Sequence, residues 1–170
     1  MALITPYYQI QRYQLYKDGE EVDDGHKYVH KVRPFAQQVA AKTILDYGCG
    51  QGSFKRSYPD NVDIRQYDPV LPHHTKNPDP ADVVVCTNFL ERVEPRYLSE
   101  TLNNLYLLTN KVLFVAISLE LSDLWLPNGH NANLTIASEM MWLSELNDYF
   151  SRFHIVRPRK EGELVVVCFK

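Results

Sequence analysis

The chain has 170 residues, of which 45% are hydrophobic and 23% are charged. This composition is typical of one globular domain with a substantial core, and it excludes disordered, collagen-like and fibrous proteins. The 18 basic and 21 acidic residues leave a formal net charge of -3, so the chain as a whole offers no excess of positive charge for binding a phosphate backbone.

The sequence carries no signal for export or for membrane insertion. No apolar run approaches the roughly 20 residues of a membrane span, and residues 1–16 lack the apolar stretch of a signal peptide. The three cysteines (Cys49, Cys86 and Cys168) are far apart and form no CxxC pair, which favours neither a disulfide framework nor a zinc site. We therefore expect a cytoplasmic protein with reduced thiols, no membrane partner and no metal.

Residues 1–25 form an N-terminal segment rich in tyrosine, ahead of a domain predicted over residues 26–170. Two interpretations are open. The segment either packs on the core as a peripheral element, or acts as an aromatic lid that closes over a bound ligand and excludes water. The tyrosines concerned are Tyr7, Tyr8, Tyr13 and Tyr16, with Tyr28 just beyond the segment.

The rest of the chain alternates short β-branched runs with helical stretches, a pattern typical of a parallel α/β sheet. Strands are predicted at residues 43–47, 62–67, 82–87, 111–118, 154–158 and 164–169. The runs 83–85 and 112–115 are apolar on both faces, as expected for strands with helices on both sides.

Three helices are predicted between these strands. The first has an apolar face between residues 29 and 39, and Pro34 should begin or kink it. Pro95 is suited to opening the second helix, and Ser138 to capping the third. The turn at residues 160–162 is too short for a parallel crossover, so the last two strands must be antiparallel.

The most informative segment is a buried strand that ends in an acid and a glycine-dense turn, Gly48-x-Gly50-x-Gly52. Such glycines let the backbone pass close to a ligand. The spacing differs from the Gly-x-Gly-x-x-Gly fingerprint of dinucleotide sites, and no Lys-Ser/Thr follows as in a P-loop. Asp46 would repel a pyrophosphate and suits a ligand with an ammonium or sulfonium charge.

The second predicted strand ends at Tyr67-Asp68, about 20 residues past the glycine turn. An acid at that place can accept hydrogen bonds from both hydroxyls of a ribose. A cationic ligand that bears a ribose but no pyrophosphate fits the description of S-adenosylmethionine (SAM).

The run Asp46-Tyr47-Gly48-Cys49-Gly50-Gln51-Gly52 resembles the first motif of the class I SAM-dependent methyltransferases, with Asp68 at the ribose-binding position. Residues 81–95 resemble that family's fourth strand and the loop after it, and the likeness extends over residues 25–170. More narrowly, the chain is similar to compact methyltransferase-like proteins of phage and bacterial genomes.

The resemblance implies an α/β fold with a Rossmann-like sheet, mostly parallel and closed by an antiparallel C-terminal hairpin. The stretch between Asp68 and Asp82 is too short for the family's third strand, so we expect that strand to be missing.

The resemblance also implies SAM as cofactor and assigns site residues by position. The expected cofactor-binding residues are Asp46, Tyr47, Gly48, Cys49, Gly50, Gly52, Asp68, Pro69, Thr87 and Asn88. Glu91 and His130 are the candidate catalytic residues, and Arg92 and Asn131 the candidate acceptor-binding residues. Arg92 and Asn133 stand where the family often carries histidines.

The predicted function is in-line transfer of the SAM methyl group to a small-molecule or metabolite acceptor. One alternative is a nucleic-acid methyltransferase, against which stand the negative net charge and the lack of an Asn/Asp-Pro-Pro-Tyr/Phe box or a Pro-Cys nucleophile. The other alternative is a non-catalytic SAM-binding partner of another subunit.

Overall fold

A computed structural model describes residues 3–170 and contains a six-stranded sheet. The strands are β1 (Thr43–Tyr47), β2 (Asp63–Tyr67), β3 (Ala81–Thr87), β4 (Thr109–Ser118), β5 (Arg152–Val156) and β6 (Glu163–Phe169). The helices are α1 (Pro6–Lys17), α2 (Val29–Gln38), α3 (Ser53–Ser57), α4 (Leu98–Leu108) and α5 (Glu139–Asn147).

The sheet has the strand order β2-β1-β3-β4-β6-β5. Strands β2, β1, β3 and β4 are parallel to one another, whereas β6 is antiparallel to both β4 and β5. This confirms the predicted Rossmann-like sheet with its antiparallel C-terminal hairpin. Residues 68–80, which the structure describes throughout, contain one 3-10 turn (Pro72–His74) and no strand, so β2 lies at an edge of the sheet.

Helices cover both faces of the sheet, and this explains why the central residues of β3, 83–85, are all apolar. Val84 packs in the cluster formed with α4 and α5, while Val83 and Val85 pack in the opposite cluster, formed with α2 and α3. All three valines are fully buried. Successive side chains of a strand point to opposite faces, so a strand between two helical layers has no polar side.

The predicted helices are present, with differences at two prolines. Pro95 opens a 3-10 turn (Pro95–Tyr97) that leads directly into α4, so α4 itself begins at Leu98. The other difference is at Pro34. Helix α2 begins at Val29, directly after a 3-10 turn at Gly25–Tyr28, and Pro34 lies inside it. The alternative that a helix starts at Pro34 is therefore wrong, because burial of Val29 and Val32 against the sheet stabilises the turn that precedes the proline. Ser138 caps α5 by accepting a hydrogen bond from the Met141 N–H, as predicted.

The N-terminal segment folds as helix α1 and the loop that follows it. Thr5 caps α1, and the buried side of the helix carries Tyr8, Arg12 and Leu15. Leu15 and Tyr8 pack with Val70, which follows β2 in the chain. Residues 1 and 2 of the predicted segment lie outside the described residues. None of the helices within residues 3–170 reaches the length and hydrophobicity that crossing a bilayer requires.

Candidate functional site

A pocket lies where β1, β2 and β3 end, with the N-terminal segment as its outer wall. Its space measures about 740 Å³, open solvent at the mouth included. The lining comes from four stretches of chain, within residues 3–25, 46–50, 68–70 and 87–94. Open α/β sheets bind ligands at this end, outside the carboxyl ends of their parallel strands.

The glycine turn is fixed against the end of β2. The N–H groups of Gly48 and Cys49 both donate to the carbonyl oxygen of Tyr67, at 2.7 and 3.0 Å. Gly48 has φ +80°, and a Cβ atom at this position would overlap the ring of Phe89. Glycine is therefore required here both for the backbone angle and for the space.

Asp68 joins the glycine turn to the loop after β2. One of its carboxylate oxygens accepts a hydrogen bond from the Gly50 N–H at 3.1 Å, and the other accepts from the Val70 N–H at 2.8 Å. The side chain is buried, which raises its pKa, although the two N–H donors act in the opposite direction. Each carboxylate oxygen keeps a further lone pair for a ligand hydroxyl.

Asp46 provides a buried acid at the end of β1. Asp46 is 3% exposed, and no group within residues 3–170 forms a hydrogen bond with its Oδ2 atom. Burial is the largest cause of a pKa raised to about 8, and the charges of Asp23 and Asp68 add to the effect. A desolvated acid without a partner is stabilised by a cationic group placed beside it.

Asp23 lines the same pocket and was not predicted from the sequence. It accepts a hydrogen bond from the Ser53 N–H at 2.8 Å and another from the Ser53 hydroxyl, and so holds the start of α3. It is one of six acidic residues in the lining, the others being Glu21, Asp24, Asp46, Asp68 and Glu94. The acidic run at residues 20–24 is the signal that could have pointed to it.

The end of β3 contributes Thr87 and Asn88 to the pocket. Asn88 has φ +52°, an uncommon angle for a residue other than glycine, although asparagine adopts it more readily than most. Its N–H donates to the Ala116 carbonyl at 2.9 Å, and its side-chain oxygen accepts from the Tyr28 hydroxyl at 3.4 Å. The chain thereby leaves the sheet and turns along the pocket.

Two arginines and one glutamate form an ion network in the wall of the pocket. Arg12 of α1 and Arg92, after β3, both donate to the Oε1 atom of Glu21, and the Arg12 distance is 2.8 Å. Arg92 was a predicted site residue, whereas Arg12 and Glu21 were not. The Tyr8 hydroxyl donates to the Arg92 carbonyl at 2.7 Å, which fastens α1 to the same loop.

Two of the expected cofactor residues, Tyr47 and Gly52, lie outside the pocket lining. The Tyr47 ring packs in the core against Tyr67 and Phe89, with ring centres 4.7 and 5.2 Å away. Gly52 precedes α3 as its N-cap residue and packs beside the Gln66 side chain.

The two candidate catalytic residues also lie outside the lining. Glu91 is 1% exposed, and burial raises its pKa to about 7. His130 is exposed in the loop between β4 and α5. Asn131 of the same loop accepts hydrogen bonds from the N–H groups of Ser122 and Asn133, at 3.0 and 2.9 Å, so it holds the loop together.

No family model matches the chain, and no curated protein sequence matches it either. Solved structures do resemble it. The 1,6-didemethyltoxoflavin-N1-methyltransferase of Burkholderia thailandensis, with S-adenosylhomocysteine (SAH) bound, has a TM-score of 0.67 and 16% identity, over 98% of this chain and 91% of that one.

Two further structures show the same likeness. The magnesium protoporphyrin IX methyltransferase of Synechocystis PCC 6803, with SAH bound, has a TM-score of 0.60 and 12% identity, over 85% of this chain and 82% of that one. A candidate O-methyltransferase of Nostoc punctiforme PCC 73102 has a TM-score of 0.58 and 14% identity over 84% of this chain, which spans 56% of that protein. The chain therefore has the fold of the class I SAM-dependent methyltransferases.

Proposed function

We propose that the protein binds SAM and transfers its methyl group to a small-molecule acceptor. One observation carries the proposal: Asp46, the glycine turn and Asp68 line a single pocket at the carboxyl ends of three parallel strands. Two structural neighbours support the same function: the 1,6-didemethyltoxoflavin-N1-methyltransferase and the magnesium protoporphyrin IX methyltransferase both hold SAH.

The residues present fit such a ligand. The unpaired Asp46 carboxyl is suited to an ammonium or sulfonium group, and the free lone pairs of Asp68 are suited to ribose hydroxyls. The proposed cofactor contacts are Asp46, Gly48, Cys49, Gly50, Asp68, Pro69, Thr87 and Asn88. Tyr47 and Gly52 act indirectly in this proposal, by shaping the glycine turn from outside the pocket.

The chain contributes to the reaction by positioning. SAM, when bound, supplies a methyl group on a sulfonium sulfur that is already activated for in-line displacement. Holding two reactants in line is worth up to about 7–11 kcal/mol in ideal systems. Because Glu91 and His130 lie outside the pocket lining, we assign neither of them the role of general base.

The N-terminal segment closes the pocket in this proposal. Ile4 and Val22 give the wall apolar surface, and Tyr8 adds an aromatic ring. Gln9 donates to the Pro69 carbonyl at 2.7 Å, so α1 spans the pocket to the loop after β2. We propose that residues 3–25 act as the lid that keeps water from the reacting atoms.

Calorimetric titration with SAM and with SAH tests the proposal. We expect saturable binding of both ligands by the wild-type protein and a loss of at least tenfold in affinity for Asp68→Ala. Asp63→Ala is the matched control, because Asp63 is the exposed first residue of β2, the strand that Asp68 follows, and among residues 3–170 its carboxylate pairs with Arg65 alone. Failure of the wild-type protein to bind either ligand would contradict the proposed function.

A second candidate is a SAM-binding subunit without catalytic activity, which the position of Glu91 and His130 outside the pocket favours. The two candidates differ in turnover. Incubation with methyl-labelled SAM and fractionated small metabolites should label a product if the protein is an enzyme. Tight SAM binding with no labelled product, together with a stable complex with another chain, would favour the second candidate.

A further inference from the structure

The ion network of Arg12, Glu21 and Arg92 is incompletely paired. The Oε1 atom of Glu21 accepts from both guanidinium groups, but Glu21 Oε2, Arg12 Nη1 and Arg92 Nε are buried and have no hydrogen-bond partner among the described residues. Arg12 is only 5% exposed, and both arginines line the pocket. Two permanent positive charges thus share one oxygen of a single carboxylate.

The unpaired donors Arg12 Nη1 and Arg92 Nε are therefore available to an anion with two oxygens. A guanidinium group binds a carboxylate best through two parallel N–H donors, one to each oxygen. Buried donors without acceptors are costly, so a ligand that satisfies them gains affinity. Glu21 satisfies the two arginines only in part, because it offers them one oxygen.

Glu21 is also placed where it can move. It lies between α1 and the 3-10 turn at Gly25–Tyr28, in a stretch that belongs to no helix or strand. Its displacement would break neither a helix nor a strand pairing. A carboxylate that replaced it would leave the net charge of the cluster unchanged.

We propose that Arg12 and Arg92 form a carboxylate-binding subsite of the pocket, and that Glu21 occupies this subsite in the ligand-free protein. The inference rests on the proposed function for the identity of the main ligand. The carboxylate can come from the amino-acid end of SAM or from the acceptor, and the experiments below distinguish these sources.

The first experiment compares SAH with 5′-methylthioadenosine, which has the same nucleoside but no carboxylate. If the carboxylate is that of the cofactor, Arg12→Gln weakens SAH binding by about 10- to 100-fold, the range for hydrogen bonds to charged groups. Glu21→Gln tightens SAH binding instead, because it removes the internal competitor. Binding of 5′-methylthioadenosine changes in neither variant. Arg92→Gln repeats the test at the more exposed arginine, should Arg12→Gln fail to fold.

The second experiment addresses an acceptor carboxylate, and uses benzoate as the probe with benzamide as the uncharged control. If SAH affinity is the same in all variants, SAH-saturated wild-type protein should bind benzoate but not benzamide. Glu21→Gln should then tighten benzoate binding and Arg12→Gln should abolish it.

Opposite effects of the two substitutions are the signature of the subsite. If Glu21→Gln weakens the same ligands as Arg12→Gln, Glu21 is a structural support and the inference is overturned. It is overturned equally if neither SAH nor benzoate responds to either substitution. Failure of the wild-type protein to bind 5′-methylthioadenosine and SAH contradicts the proposed function instead, and the benzoate titration of ligand-free protein then still tests the subsite.

Discussion

The Asp68 carboxylate accepts a hydrogen bond of 3.1 Å from the Gly50 N–H, and so connects the turn after β1 to the end of β2. The N–H groups of Gly48 and Cys49 donate in the same direction, to the carbonyl oxygen of Tyr67. The turn is therefore held by β2 through both a side chain and the backbone. In the proposed site, Asp68 serves the architecture as well as the ligand.

The structural role of Asp68 can be measured as a loss of stability when its side chain is removed. Asp68→Ala leaves the N–H groups of Gly50 and Val70 without their acceptor in a buried place, which should lower the free energy of unfolding by about 1–3 kcal/mol. Urea denaturation measures this loss. Asp63→Ala, at the exposed start of β2, should change the value by no more than about 0.5 kcal/mol. Equal stabilities of the two variants would show that the Asp68 hydrogen bonds contribute nothing.

Asp46 should make the stability of the protein depend on pH. Burial raises its pKa in the folded protein to about 8, from an ordinary value of 3.8. Between these values the folded protein holds a proton that the unfolded chain has lost, so stability falls as the pH rises from about 4 to 8. Asp46→Asn removes this contribution.

Melting temperatures of wild-type protein and Asp46→Asn, measured from pH 5 to pH 8.5, test this sign. The melting temperature of Asp46→Asn, relative to that of the wild-type protein, should rise with pH. The expected rise is about 2–4 °C for each kcal/mol by which the free energy of unfolding of the wild-type protein falls. Part of the slope should remain in the variant, because burial also raises the pKa of Glu91, to about 7. Parallel curves for the two proteins would mean that Asp46 titrates at an ordinary pKa.

Gly48→Ala should disturb the site more than an alanine placed at another left-handed glycine. Gly48 and Gly129 have φ values of +80° and +83°, but a Cβ atom meets the Phe89 ring at Gly48 and nothing within 4 Å at Gly129. Gly129→Ala measures the backbone penalty alone, about 1–2 kcal/mol. Gly48→Ala should cost at least 1 kcal/mol more and weaken SAH binding. Calorimetry and urea denaturation of both variants give the comparison, and equal losses would contradict the close packing at Gly48.

Tyr8→Phe should loosen the N-terminal segment. It removes the hydroxyl that donates to the Arg92 carbonyl at 2.7 Å, while the apolar contacts of the ring remain. We expect faster hydrogen exchange of the α1 amides, by about 5- to 10-fold, corresponding to about 1 kcal/mol for one hydrogen bond. Tyr7→Phe is the control, since that side chain is 61% exposed. If both variants exchange at the wild-type rate, the hydroxyl does not hold the helix.

The part of the site that lies at strand ends could be predicted from the sequence. Asp46, the glycine turn and Asp68 follow runs of residues whose pattern identifies them as buried parallel strands, and such strands bring their carboxyl ends together. A lid formed by residues 1–25 was one of two open interpretations, but the residues of α1 and its loop that reach the pocket could not be predicted. Arg12 and Glu21 reach the pocket only because α1 crosses the end of the sheet, fastened there by contacts between residues far apart in the chain, such as Thr5 with Glu94.

The position of Glu91 outside the pocket lining has a local structural reason. Leu90–Arg92 forms a 3-10 turn, in which neighbouring side chains point about 120° apart. Arg92 therefore faces the pocket while Glu91 is directed into the protein. The sequence marks this stretch as functional but does not reveal which of two adjacent charged residues the turn presents.

The missing strand beside β2 has a consequence for how copies of the protein meet in solution. An uncovered edge strand offers free backbone groups to a strand of another molecule, which is a common route to aggregation. Here Arg65 of β2 donates to the Pro80 carbonyl, and the Asp68 N–H donates to the His74 carbonyl, so residues 69–80 fold back beside the edge. That stretch contains prolines at positions 69, 72, 78 and 80, which have no N–H to offer. The chain thus omits a strand and replaces it with a segment that is a poor template for adding another.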